Sequence, residues 1–269
     1  MARVSVIMST YNGEKYIANS INSIINQTYT DWELIICDDC SSDNTNKIIS
    51  SFSQKDSRIK ILTNTTNKKL AYSLNECLAV ACGEFIARMD DDDIAQENRF
   101  KKQVTFLDSH KEFDVVGCNL RLFNSNGYQG ERLFPEYADL NNNPHRIVQF
   151  AHPTIMIRHK IMKELKGYTV AKYTDRGQDF DLWARFFAAG YKGYNIQESL
   201  LDYRIADTGY KKTSFRNAFY SVIRHVKSYR LLHFPPYMYA RALDPIITFI
   251  LPAKVMAWWH KRRINNIAD

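Results

Sequence analysis

Glycine is scarce in this chain, 10 in 269 residues, and none falls in a G-x-G-x-x-G or Walker-type spacing. Phosphate-binding loops of those two kinds are therefore excluded. A phosphate-bearing ligand would have to be neutralised mainly by a metal. Proline is also scarce, at 7, while hydrophobic residues make up 45% and aromatic residues 13%, which excludes a disordered or collagen-like chain. The cysteines (Cys37, Cys40, Cys77, Cys82, Cys118) are odd in number and sit mostly inside apolar runs. Cys37 and Cys40 form a C-x-x-C, but no second pair or histidine cluster completes a zinc site. Free, reduced thiols of a cytoplasmic protein are expected. The first apolar run, Val4–Met8, is too short for a signal peptide. Acidic residues are nearly missing from the last part of the chain: residues 211–269 hold 2, against 11 Lys and Arg. The net charge of +7 thus belongs to the tail, since residues 1–210 carry 25 basic and 27 acidic residues.

What is present is an alternation of strand and helix patterns. Val4–Met8 reads as a buried strand ended by Ser9-Thr10-Tyr11-Asn12-Gly13, followed by a helix with Ile17, Ile21, Ile24 and Ile25 on one face. Glu33–Cys37 and Arg58–Leu62 read as strands around a helix over 44–53. Leu70–Cys82 reads as a helix closed by Gly83 at its C′ position, and Glu84–Met89 as the next strand. The pattern predicts an α/β fold with a parallel, doubly wound sheet, in which ligands bind at the carboxyl ends of strands. Three polar clusters lie at those ends: Ser9–Asn12, Asp38–Asp39 and Asp90–Asp93. Further on come a helix over 97–109, carrying Phe100, Val104 and Leu107, and a strand over 114–122. A polar, turn-rich excursion over 124–146 reads as a loop bordering an acceptor groove. His152-Pro153 precedes a strand over 154–157, and a helix starts near Asp179 with Leu182, Phe186 and Ala189 at helical spacing.

The stretch Arg88-Met89-Asp90-Asp91-Asp92-Asp93-Ile94 carries the most chemistry. Four consecutive aspartates at a strand end repel one another and are not kept for stability. Hard cations such as Mg²⁺ or Mn²⁺ take oxygen ligands of this kind. If strand geometry persists, Asp90 and Asp92 share one face and Asp91 and Asp93 the other. One pair could then hold a metal while the other bonds to a ribose or to the backbone. The plain alternative is a solvated acidic loop.

In order and spacing these segments resemble the family 2 inverting glycosyltransferases with the GT-A fold, a Rossmann-like, mainly parallel sheet flanked by helices. The resemblance covers roughly residues 3–205. It is carried by Val4-Ser-Val-Ile-Met-Ser-Thr-Tyr-Asn12, Ser23-Ile-Ile-Asn-Gln27-Thr28-Tyr29, Trp32-Glu-Leu-Ile-Ile-Cys-Asp38-Asp39, and Ser42-Asp43-Asn44-Thr45. It continues through Gly83-Glu-Phe-Ile-Ala-Arg-Met-Asp90-Asp-Asp-Asp-Ile94 to Gln178-Asp179-Phe-Asp-Leu-Trp183. The resemblance implies that Thr10, Tyr11, Asn12 and Asp39 form the groove for the base and ribose of a nucleotide-sugar, with Asp39 facing a pyrimidine. It implies that Asp92, helped by Asp90, binds Mn²⁺ or Mg²⁺, and that Asp90 and Asp91 also serve the donor. The family's D-A-D-D is D-D-D-D here, so the division of labour within the tetrad is open. Asp179 matches the catalytic base of an E-D pair whose glutamate is Gln178 in this chain; a plain helix N-terminal role for Asp179 is the alternative. Lys69 stands where the family commonly has glycine, and Asn75 matches a family position that a helix-face hydrogen bond explains equally well. His152, Trp183 and Arg204 are assigned to the acceptor side, each with an equally weighted structural role in core packing, a helix face or a strand-end salt bridge.

The chemistry fits those roles. Sugar transfer with inversion needs one base to take the acceptor's hydroxyl proton and an electrophile on the nucleoside diphosphate leaving group. A lone base with a separate metal site, rather than two paired carboxylates, distinguishes this from a glycoside hydrolase.

The tail, residues 211–269, is aromatic and basic. A helix over 215–233 is followed by Pro245–Trp259, which at 15 residues with Pro252 and Lys254 inside is too short and too polar to span a membrane. Paired tryptophans followed by His260-Lys-Arg-Arg263 suggest an interfacial anchor on an anionic membrane; a helix packed on the main domain or a homo-oligomer contact are the alternatives. The expectation is a catalytic domain over 1–210 and an appended tail over 211–269. The protein would be peripheral on the inner membrane face and transfer a sugar from a nucleotide-sugar donor, most simply a UDP-sugar, to a lipid-linked glycan or polysaccharide acceptor. Nucleic acid is not expected as a partner. The rivals are a catalytically silent sugar-nucleotide-binding subunit and a sugar nucleotidyltransferase.

Overall fold

The structure is a computed structural model that describes residues 2–140, 146–207 and 214–250. Strand β1 (Val4–Thr10) is buried along its length, and its side chains divide between two cores with the period of two that a strand imposes. Val4, Val6 and Met8 join a core on one face of the sheet, and Ile7 joins the core on the other. A strand covered on both faces reads as a near-continuous apolar run. Helix α1 (Ile17–Ile25) covers the first face with Ile17, Ile21 and Ile24, all fully buried; truncating one of them to alanine would cost about 2–5 kcal/mol.

The chain continues through β2 (Trp32–Asp38), α2 (Thr45–Ser53), β3 (Ile59–Thr63), α3 (Leu70–Val80) and β4 (Phe85–Arg88). β3, β2, β1 and β4 lie side by side in that order, all parallel. The chain winds outward from β1 to β3 and then returns to β1's other side as β4. That reversal opens a crevice at the carboxyl ends of β1 and β4, the place where open α/β sheets bind ligands.

The second half follows as β5 (Ile94–Ala95), α4 (Arg99–Ser109), β6 (Val115–Asn124), β7 (Gly127–Arg132) and β8 (Tyr137–Ala138). Then come β9 (Met156–Arg158), α5 (His159–Glu164), α6 (Gln178–Ala188), β10 (Gly193–Arg204), α7 (Phe215–Leu231) and α8 (Asp244–Ile250). The sheet is mixed rather than wholly parallel, because β9 inserts antiparallel between β4 and β6. β10 was not expected as a strand. Its register shifts between Ile196 and Ser199 and again by Leu201, which breaks the alternation a sequence pattern relies on. The excursion over 124–146 is likewise more regular than expected: β7 folds back on β6 as an antiparallel strand, and β8 pairs with β10. Gly83 is not a helix cap. α3 ends at Val80, and a Cβ on Gly83 would stand 2.7 Å from the Ser5 amide nitrogen, so the glycine permits a close backbone approach to β1. All five cysteines are free, as expected.

Helix α7 packs on α6. Among the described residues no helix is long and apolar enough to cross a membrane. The segment with Pro252, Lys254, the paired tryptophans and the basic cluster lies outside the described residues.

Candidate functional site

The crevice is built by three loops that hold one another. Thr10, the last residue of β1 and almost fully buried, donates its hydroxyl to Asp91 Oδ2 at 2.5 Å. Gly13 makes this possible, since a Cβ there would meet Asp91 Oδ2 at 2.5 Å and Thr10 Oγ1 at 2.6 Å. Asn12 has a positive φ of 54°, a conformation asparagine tolerates. Its Oδ1 accepts from the Ser42 amide at 2.9 Å, and its own amide donates to Ser41 Oγ at 2.9 Å, so Asn12 ties the loop after β1 to the loop after β2. Tyr11 is half exposed at the rim. Asp39 is buried beside Thr10 and accepts three hydrogen bonds, from Asn64 Nδ2 (2.8 Å), the Lys68 amide (2.7 Å) and the Lys69 amide (2.8 Å). A carboxylate has about four acceptor positions, so roughly one remains for a ligand.

Strand geometry does not persist through the tetrad. β4 stops at Arg88, the chain turns at Asp91 and Asp92, and it re-enters the sheet as β5. The turn breaks the alternate-face pairing expected for a strand. It gathers Asp90, Asp92 and Asp93, each offering one carboxylate oxygen within 4.8 Å of the others, and sends Asp91 to Thr10. Asp93 was not assigned to the metal from sequence. It is fully buried, its Oδ1 accepts from the Arg204 amide at 2.9 Å, and its Oδ2 is buried without a partner. Burial pushes its carboxyl up to about 8, and Asp90 adds to the rise. Burial also raises Asp91 to about 6, against the Thr10 bond that favours its charge, and raises Asp92 with help from Asp90. Three crowded carboxylates, one of which has a buried oxygen without a partner, are a donor set that a hard divalent cation satisfies. Asp90, Asp92 and Asp93 are the residues that could hold it.

Two buried arginines brace the turn. Arg88 forms an ion pair with Asp90, and that charge holds its guanidinium protonated against burial. Arg99, at the start of α4, donates to the Arg88 carbonyl at 2.8 Å and to Gln103 Oε1 at 3.2 Å; burial pushes it down to about 10. Neither arginine was singled out from sequence, although Arg99 and Gln103 lie on the same helical stripe as Leu107. A polar pair on an apolar stripe was the available signal. Arg204 belongs to this turn as well. Its Nε donates to the Asp92 carbonyl at 3.0 Å, and its guanidinium lies over Tyr16 at 3.9 Å and Phe123 at 4.3 Å.

His152 and Trp183 sit deeper. Trp183 is fully buried against Phe150, Phe186 and His152. His152 Nε2 is 2.9 Å from the Tyr168 hydroxyl, and burial, with Arg88 nearby, holds the imidazole well below its ordinary value. Tyr168 connects the two halves of the site. Burial raises its hydroxyl first, and it feels Arg88 and Asp90 on the metal side together with Asp179. Asn75 fixes its backbone in both directions, Nδ2 to the Tyr168 carbonyl and Oδ1 from the Tyr168 amide, each at 2.8 Å.

Asp179 lies in the first turn of α6, after Gly177 with φ of 119°. Its carboxylate is partly exposed and accepts no hydrogen bond from a described residue. Gln178, buried, turns its Oε1 back to the Gly177 amide at 3.2 Å. Asp181 is occupied by Arg185 (2.9 Å) and Thr169 (2.6 Å), which leaves Asp179 as the carboxylate available at this helix start.

The chain has relatives among known proteins in sequence and in fold. The description "Glycosyl transferase family 2" matches residues 5–166. The chain is 41% identical to a Bacillus subtilis protein named "Putative glycosyltransferase EpsE", over 98% of this chain and 95% of that one. It is 31% identical to the O-antigen biosynthesis glycosyltransferase WbnJ of Escherichia coli, over 88% and 94% of the two chains. In fold it is similar to residues 1–349 of S. aureus TarS, crystallised with UDP-GlcNAc, with a TM-score of 0.70 at 22% identity over 93% of this chain and 72% of that one.

Proposed function

We propose a specific reaction on one premise: the chain belongs to glycosyl transferase family 2 and is a glycosyltransferase with the GT-A fold. The reaction is transfer of a sugar, with inversion, from a UDP-sugar to a hydroxyl of a lipid-linked or polysaccharide acceptor in surface glycan synthesis. The observation that carries this reading is the gathering of Asp90, Asp92 and Asp93, the last with an unpartnered Oδ2, at the crevice between β1 and β4. A divalent cation, Mn²⁺ or Mg²⁺, supplies neutralisation of the leaving diphosphate when bound there. Thr10, Tyr11, Asn12 and Asp39 face the nucleoside, and Asp39 uses its remaining acceptor position for the pyrimidine N–H. Asp91, fixed by Thr10, serves the ribose. Asp179 takes the acceptor's proton, and its freedom from hydrogen bonds leaves it open to a hydroxyl. His152 and Trp183 shape the acceptor side from beneath, through Tyr168. Arg204 acts on the metal turn.

The name of WbnJ supports a surface glycan, and the UDP-GlcNAc complex of TarS supports a UDP-sugar. Membrane association at the inner face is supported by the exposed Phe215, Phe219, Ile247 and Ile250 on α7 and α8, beside a strongly basic stretch of sequence. The test is calorimetric titration with UDP, dTDP and GDP, with and without Mn²⁺, on the wild type and on Asp92→Asn. UDP binding that requires Mn²⁺ and is lost in the variant is expected. Equal binding with and without metal would overturn the metal assignment, and preference for GDP would overturn the donor class.

A further inference from the structure

The start of α6 is held from outside the 5–166 region. Arg224, on α7, is a buried arginine whose Nη1 donates to the Tyr173 carbonyl at 3.1 Å and the Arg176 carbonyl at 2.6 Å. Its Nη2 donates to Ser221 Oγ at 3.3 Å, and its Nε is buried without a partner. The guanidinium presses on Gly177 so closely that a Cβ there would lie 2.5 Å from Arg224 Cζ. Gly177 is therefore required twice, for its φ and for this contact. Two neighbours on α7 reinforce the grip: Lys227 Nζ lies 4.3 Å from the Tyr173 ring, and His225 packs on Phe180 at 4.4 Å.

Among the described residues no carboxylate hydrogen-bonds to Arg224. Burial lowers its pKa, against the charges of Asp179 and Asp181, and Asp181 is itself paired with Arg185. The planar guanidinium is committed to the loop, a grip that a lysine's point charge does not reproduce. We propose that Arg224 is a positioning residue for Asp179: it locks the 173–177 loop that sets the first turn of α6, and so fixes where Asp179 meets an incoming hydroxyl. This rests on Asp179 being the base.

The test follows amide exchange over 173–179 and UDP release from UDP-glucose or UDP-GlcNAc in the wild type, Arg224→Lys and Arg224→Gln. In Arg224→Gln kcat is expected to fall about tenfold with the KM for the donor near the wild type's, while Arg224→Lys keeps part of the rate. Amide exchange over 173–179 is expected to quicken in both, because neither side chain can hold two carbonyls as the guanidinium does. An unchanged kcat in Arg224→Gln would overturn the positioning role, and unchanged exchange in both variants would overturn the lock. Should Arg224→Gln fail to fold, Arg224→Lys decides both. UDP release at an unchanged rate in Asp179→Asn would overturn the base assignment itself, whatever the Arg224 variants do.

Discussion

Lys69 shows most plainly how a single residue is held against its preference. Its φ of 76° and ψ of 162° lie in a region that only glycine occupies freely, at a cost of about 1–3 kcal/mol. The Asp39 carboxylate imposes it by accepting the amides of Lys68 and Lys69 together. This accounts for the family's glycine at the position without invoking the lysine's charge. Lys69→Gly should therefore raise the free energy of unfolding by about 1 kcal/mol, read from urea denaturation; an unchanged or lower midpoint would show that the loop relaxes around lysine.

Between elements, the contacts that matter are polar and short. Asn75 on α3 makes the two hydrogen bonds that fix Tyr168, and Gly167 gives it room, a Cβ there lying 2.5 Å from Asn75 Oδ1. Asn75→Ala should cost about 2 kcal/mol, seen as a lower Tm. It should also lower kcat more than it raises KM for the donor, because Tyr168 feels the charges of both Asp90 on the metal turn and Asp179. On β2, Glu33 is buried, which by itself would raise its carboxyl. Lys60 (2.6 Å), Ser5 (2.6 Å) and Cys82 outweigh that and hold it down to about 2. A carboxyl lowered on folding stabilises the protein above its ordinary value of 4.5, and that contribution fades as pH falls from 4.5 toward 2. Glu33→Gln should flatten the stability curve over that window; a curve as steep as the wild type's would place the acid sensitivity elsewhere.

For the molecule as a whole, the aspartate turn links stability to metal. Burial raises Asp93 to about 8 and Asp91 to about 6, so between the ordinary value of 3.8 and about 8 the folded chain holds protons that the unfolded chain has released. Metal-free protein should then lose stability as pH rises from 4 to 8. Mn²⁺ should reverse the trend, since a cation favours the ionised carboxylates, and its binding at pH 6.5 should release protons. Thermal melts across pH with EDTA or Mn²⁺, and calorimetry in buffers of different ionisation enthalpy, check both. Absence of proton release would remove Asp93 from the donor set.

Much of the first half was legible because its signals are local. The Val4–Met8 run, the Ile17–Ile21–Ile24 stripe and the polar residues at strand ends follow from the periods of strand and helix, so sequence determines the α/β class, the parallel first half and the place of the candidate site. Other features depend on partners far along the chain. Whether the tetrad continues as a strand or turns depends on Arg204, more than a hundred residues away, which bonds to Asp92 and Asp93. The antiparallel insertion of β9, three residues long, is decided by the open edges of β4 and β6, and the bulged β10 by its pairing with β6. Arg224 had no motif to mark it, because its meaning lies in the carbonyls of a loop 48 and 51 residues before it. Periodicity records which side of an element meets the core. Only tertiary packing decides which buried polar group meets which, since those pairings arise from loop geometry that carries no repeat.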